Sequence, residues 1–126
     1  MTSAAAWLFS LLFVAHYAGD FSPLITRQMR EAKSGSRGPG LIAAHAGVHT
    51  VLVSAAVWLV TRSLSLALLA SAIEFATHFA FDFTKMKLGR RFEVLRDPGR
   101  DPYWYLFGAD QLAHALVLVA IAATVL

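Results

Sequence analysis

The chain has 126 residues, 57% of them hydrophobic and 15% charged, with a net charge of +3 and no cysteine. That length suits one domain, but the apolar fraction is too high for an ordinary soluble domain of this size. The lack of cysteine excludes disulfides and thiolate metal ligands.

Four long apolar stretches carry the excess, at about residues 4–19, 41–61, 64–83 and 103–126. A bilayer-spanning helix needs about 20 apolar residues. The last three stretches meet that length and the first is short. The expected fold is all-α: one membrane domain over residues 1–126, a four-helix transmembrane bundle with helices at about 4–20, 41–61, 64–90 and 102–126. A soluble bundle would need polar outer faces, and these segments have none. The first stretch also has the length of a signal peptide. Met1, Thr2 and Ser3 supply no positive n-region, however, so a retained helix is expected.

The first helix ends near Gly19 and Asp20. The connection that follows contains Pro23, a short polar helix around residues 26–33, and then Ser34-Gly-Ser-Arg-Gly-Pro-Gly40, which reads as a flexible breaker. The turn between the second and third helices, near Arg62, is very short, so those helices are antiparallel neighbours. The third helix continues past Asp82 to Arg91, where Lys and Arg replace Leu and Ala, as an interfacial extension. Asp97-Pro98-Gly99 is a turn. Asp101-Pro102 reads as an N-cap followed by proline at the first helical position. Tyr103-Trp104-Tyr105 fits an interfacial aromatic belt.

Basic residues are unevenly placed. Arg27, Arg30, Lys33 and Arg37 lie in the first connection, and Lys85, Lys87, Arg90, Arg91, Arg96 and Arg100 in or near the third. Only Arg62 lies in the second. The positive-inside rule then predicts two basic cytoplasmic loops, with the N and C termini outside. A bacterial inner-membrane, multi-pass location follows. Nucleic-acid binding is the rival reading of a basic chain, but juxtamembrane cations are explained by anionic lipid headgroups.

Every histidine stands four residues from another histidine or an aspartate: His16/Asp20, His45/His49, His78/Asp82 and Asp110/His114, one pair per apolar stretch. A separation of four puts both side chains on one helix face, the geometry by which a helix offers two ligands to one ion. The charge topology places all four pairs near the cytoplasmic ends of their helices, at one depth. Ionisable groups inside a membrane are expensive and normally face a bundle interior, where they pair or function. Interhelical glue would need only one or two polar residues; a proton path is a further alternative. Five imidazoles and three carboxylates suit one or two divalent transition metal ions, Zn first, with Mn or Fe as alternatives, better than Ca or Mg. In a two-ion site the carboxylates are the bridging candidates, and some of the eight residues would orient others.

Three further residues are candidates for catalysis. Glu74, one turn before His78, reads as a general base or extra ligand, or as a structural partner. Lys85, three residues past Asp82, could hold a phosphate or carboxylate, or snorkel to the interface. Gln111 could position a ligand or substrate. The loop from Gly35 to Gly40 leads into a helix but lacks the Lys-Ser/Thr ending of a P-loop.

The combined pattern resembles a family of small bacterial and phage membrane proteins catalogued as a domain of unknown function. Its motifs read here as His16-Tyr-Ala-Gly-Asp20-Phe21, Lys33, His45-Ala-Gly-Val-His49, His78-Phe-Ala-Phe-Asp82-Phe-Thr-Lys85 and Asp110-Gln111-Leu-Ala-His114. A Gln common in that family soon after Asp-Phe is replaced by Ser22-Pro23-Leu24-Ile25. More remotely, the family resembles inner-membrane proteins described as metal-dependent hydrolases. The resemblance brings no established activity.

The expected function is a membrane-embedded, metal-dependent hydrolase open to the cytoplasmic leaflet, attacking a lipid or amphiphile phosphoester with metal-activated water. Two alternatives are a di-iron oxygenase or desaturase, which would normally carry more than one His-x3-His box, and a metal or proton transporter, which needs access from both faces. Expected partners are membrane lipids and a lipid-like or anionic small-molecule substrate, with a homo-oligomer left open and no nucleic acid.

Overall fold

The structure is a computed structural model that describes residues 3–126. Met1 and Thr2, part of the missing positive n-region, lie outside the described residues. The described residues form helices α1 (Ser3–Phe21), α2 (Arg27–Lys33), α3 (Pro39–Thr61), α4 (Leu64–Arg91) and α5 (Asp101–Val125), with a 3-10 turn at Glu93–Arg96. No strand occurs among them. Four helices, α1, α3, α4 and α5, are long and apolar enough to cross a membrane, as a multi-pass membrane protein requires.

The four long helices pack in the cyclic order α1–α3–α4–α5, with α5 closing against α1. The two-residue link between α3 and α4 makes them antiparallel. Arg62 adopts the left-handed conformation (φ 55°) and its N–H reaches Trp58 O, while Ser63 Oγ accepts from Leu66 N at 3.3 Å to start α4. Large apolar side chains such as Trp7, Val14, Val51, Leu68 and Leu116 point outward and are exposed. A soluble bundle would hide such residues; a bilayer solvates them.

Each long helix buries one stripe. In α5 it runs Asp110, His114, Leu118, Ile121, Ala122 and Val125. In α4 it runs Ala67, Ala70, Glu74, His78, Asp82, Met86 and Gly89. The polar pairs therefore continue the core-facing stripe instead of interrupting it. At the end of the bundle holding both termini, Leu8, Leu12, Val53, Val57, Leu118 and Ile121 form a closed apolar core. At the opposite end Ala32, Ile42 and Met86 make a smaller cluster beneath α2. The ionisable layer lies between the two.

The loop end differs from expectation in two places. The Ser34–Gly40 run is held in place instead of hanging free: Arg90 Nε donates to Gly35 O at 3.0 Å and Arg90 Nη2 to Arg37 O at 2.6 Å. Gly35 sits at φ +93°, where a side chain is strained, and its N–H closes on Ala32 O. Asp101 is not a cap: Arg100 is the N-cap, with no side-chain cap bond, and Asp101 lies in the first turn of α5. An acidic residue there still meets the positive end of the helix dipole, and Pro102 follows without losing an N–H that the helix needs. Trp104 Nε1 donates to Pro98 O at 2.8 Å, so the belt tryptophan pins the preceding turn.

Candidate metal centre

Because the four buried stripes meet on the bundle axis, the four pairs converge into one layer. Ring centroids of His49 and His78 lie 3.8 Å apart, His78 and His114 4.1 Å, His45 and His49 4.7 Å, and His16 and His49 5.1 Å. His45, His49 and Asp82 are fully buried, and His16, Asp20, Glu74, His78, Asp110 and His114 nearly so.

Asp20 and Asp82 are the hubs. Asp20 Oδ1 is 2.9 Å from His45 Nε2 and 3.5 Å from His49 Nε2, while its Oδ2 accepts from Gln111 Nε2 at 3.1 Å. Asp82 Oδ2 lies 3.5 Å from His78 Nε2 and 3.6 Å from His45 Nε2, and its Oδ1 lies 3.7 Å from His114 Nε2. These Asp82 contacts are close but lack hydrogen-bond geometry. Among the described residues, eight buried side-chain atoms have no hydrogen-bond partner, all within this layer: His16 Nδ1, His45 Nδ1, both nitrogens of His49, His78 Nε2, both oxygens of Asp82 (Oδ1 is ion-paired with Lys33 at 3.3 Å) and His114 Nε2. Burying such groups without a partner costs about 1–3 kcal/mol each, and native cores hold few of them.

Among the described residues, two sets of donors lie close enough to share an ion. One atom each from Asp20, His45, His49 and His78 fall within 4.8 Å of one another, as do atoms from His78, Asp82 and His114. His78 belongs to both sets. Its Nδ1 donates to Glu74 Oε1 at 3.0 Å, which leaves Nε2 to face the layer. Asp82 Oδ2 lies near His78 and His45 and its Oδ1 near His114, so this carboxylate stands between the two sets.

Of the eight ligand candidates, His16 and Asp110 stand at the edge. His16 Nε2 donates to Gln111 Oε1 at 3.2 Å, and Asp110 Oδ2 accepts from Lys85 Nζ at 2.7 Å while its Oδ1 is 3.4 Å from His114 Nε2. Glu74 lies behind His78, away from the open end. Gln111 bridges α5 to both His16 and Asp20 of α1. Lys85 sits at the rim, as its sequence position suggests.

Lys33 was not singled out from sequence as a site residue, yet it reaches the centre of the layer. Its Nζ lies 2.9 Å from Asp20 Oδ1, 3.3 Å from Asp82 Oδ1 and 3.3 Å from His45 Nε2. Burial alone would push the ammonium's pKa down, but the Asp82, Asp20 and Asp110 carboxylates outweigh it and hold it above the usual lysine value. The α2 helix makes this reach possible: Thr26 Oγ1 accepts from Met29 N at 3.2 Å to begin the helix, and Ala32 packs beneath it on Ile42 and Met86.

Above the layer lies a cavity of about 260 Å³. Its polar wall includes Asp20, Arg30, Lys33, Ser34, Lys85, Arg96 and Gln111, and its apolar wall includes Phe21, Ile25, Leu95, Tyr103, Leu106 and Phe107. Four cations against one carboxylate favour an anion, and the second wall favours a hydrocarbon group beside it.

The model of the family described as "Protein of unknown function (DUF3307)" matches residues 8–126, which include every candidate residue above. The chain belongs to the DUF3307 family. No curated protein and no solved structure matches this DUF3307 chain. Its chemistry therefore has to be argued from the layer and the cavity.

Proposed function

We propose that this DUF3307 protein is a membrane-embedded, metal-dependent hydrolase of a lipid or amphiphile phosphoester, working at the cytoplasmic leaflet of a bacterial inner membrane. One observation carries the reading: eight buried donor atoms without a hydrogen-bond partner lie in one layer next to a cationic and apolar cavity. The basic loops flank that end of the bundle, which supports a cytoplasmic orientation.

Imidazole and carboxylate donors in this number suit one or two ions of the zinc class, with Mn or Fe as alternatives. Asp20, His45, His49, His78, Asp82 and His114 would hold them. Such an ion lowers the pKa of bound water from about 15.7 to about 7 and polarises a phosphoryl oxygen. In the overall hydrolysis, a water oxygen bonds to phosphorus and the ester P–O bond breaks. One water proton leaves on the alcohol and the other remains with the phosphate. Lys85 and Lys33, which both line the cavity, would bind the phosphoryl oxygens, and Gln111 would orient Asp20. Glu74 fixes the His78 ring, a role better matched to its position than proton transfer at the cavity. Transport finds less support, because the tightly packed apolar core around Leu12, Val57 and Ile121 fills the far half of the bundle.

The test is release of inorganic phosphate from dioctanoyl phosphatidate in mixed micelles. Turnover should vanish on chelation and return with zinc. Protein that carries zinc and cleaves neither phosphomonoesters nor phosphodiesters would overturn the hydrolase reading.

A further inference from the structure

Lys33 is set apart from the chain's other cations because its ammonium stands among residues of both candidate donor sets. Its three neighbours at 2.9–3.3 Å are Asp20 Oδ1, Asp82 Oδ1 and His45 Nε2, all members of the donor sets described above. A dication held by Asp20 and His45 would sit about 2.0–2.2 Å from their donor atoms. The ammonium and the ion would then be a few ångströms apart, and like charges at that range in a low-dielectric site repel. The two cations compete for these carboxylates. Lys33 does, however, line the neighbouring cavity, together with Lys85.

Charge sets how far the layer can be filled. Four buried carboxylates, Asp20, Glu74, Asp82 and Asp110, face two ammoniums, Lys33 and Lys85. One dication offsets the difference, and a second leaves the layer positive unless an anion enters. A buried, uncompensated charge is strongly unfavourable. The Lys33 ammonium, once displaced, therefore needs a new anionic partner on the cavity side.

We propose that Lys33 is an exchangeable counter-cation: it holds Asp20 and Asp82 until a dication takes them, then turns into the cavity and, with Lys85, binds the phosphate of an anionic ligand. Metal and phosphate binding thereby reinforce each other. The inference rests on the metal reading above and adds an order of binding, metal before phosphate, and a residue that couples the two. The phosphate group is the shared chemistry of a lipid headgroup and of free phosphate. The apolar wall at Leu106 and Phe107 favours the lipid.

The experiment is calorimetric titration of detergent-solubilised protein with inorganic phosphate and, separately, with dihexanoyl phosphatidate. Each is run on zinc-loaded, desalted protein and on chelator-treated protein. Zinc loading should tighten both anions about tenfold, within the usual range of coupling between sites, and the lipid should bind more tightly than free phosphate. In Lys33→Met the zinc-induced gain should disappear while zinc itself binds as tightly as before or more so. Lys33→Arg, which keeps the charge, should retain part of the gain, and circular dichroism checks that each variant is folded. Equal phosphate affinity with and without zinc overturns the exchange, as does weaker zinc binding in folded Lys33→Met. Failure of the wild-type protein to take up zinc overturns the metal reading itself and the exchange with it. Tighter binding of free phosphate than of phosphatidate removes the lipid assignment alone.

Discussion

Gly19 lies directly against the His49 imidazole: a Cβ on Gly19 would overlap both Cε1 and Nε2 of that ring. The contact explains why a glycine occurs one residue before Asp20, in the last turns of a membrane helix where alanine would be the better helix former. Without a side chain, α1 comes close enough to α3 for Asp20 to meet His45 and His49.

Gly19→Ala should therefore disturb the site more than the fold. Alanine gains up to about 1 kcal/mol of helix propensity, but its methyl must displace the His49 ring. The expected result is unchanged helical content by circular dichroism with zinc affinity reduced tenfold or more.

Glu74 offers a second discrimination. If it orients His78, its substitution acts on metal affinity, and loss of such a partner typically costs about 10–100-fold. Glu74→Gln keeps an acceptor for His78 Nδ1 and should lose less affinity than Glu74→Leu. A Glu74→Gln protein that binds zinc normally but has lost all turnover would instead make Glu74 the general base.

The apolar end of the bundle should behave as a structural plug. Ile121 is fully buried there, two turns from His114, and Ile121→Ala should destabilise the protein by about 2–5 kcal/mol, seen as a lower thermal midpoint in detergent. Zinc affinity should stay within about twofold of wild type, since distant sites act nearly independently.

Orientation is open to single-cysteine labelling, because the chain has no cysteine of its own. Ser36→Cys, in the exposed basic loop, should react with an impermeant maleimide only from the cytoplasmic side, and Ser65→Cys, exposed at the α3–α4 turn, only from the other. The opposite pattern would place the cavity on the outer leaflet.

Much of this architecture is legible in the sequence because helical periodicity and hydropathy are local signals. Four apolar stretches become four long helices, and pairs such as His45/His49 fall on one face by the helix repeat alone. Convergence is less local. Which members of the pairs meet depends on how each helix is rotated against its neighbours, and that rotation leaves His16 and Asp110 at the edge while Asp82 sits at the centre. Lys33 is the clearest case of hidden information. In sequence it is one of four cations in a loop, and its position among the carboxylates arises only when α2 folds back over α3 and α4. Its place in the family motif, between Asp20 and His45, is the one sequence signal that separates it from Arg27, Arg30 and Arg37. The anchoring of the Ser34–Gly40 run likewise depends on Arg90, more than fifty positions along the chain.

The most direct test of the metal centre is elemental analysis of protein purified without chelator or nickel resin, alongside His45→Ala and Asp82→Ala. One or two equivalents of a zinc-class metal per chain in the wild type, with marked loss in both variants, is the expected result. Wild-type protein with no stoichiometric transition metal, or variants with unchanged content, would contradict it.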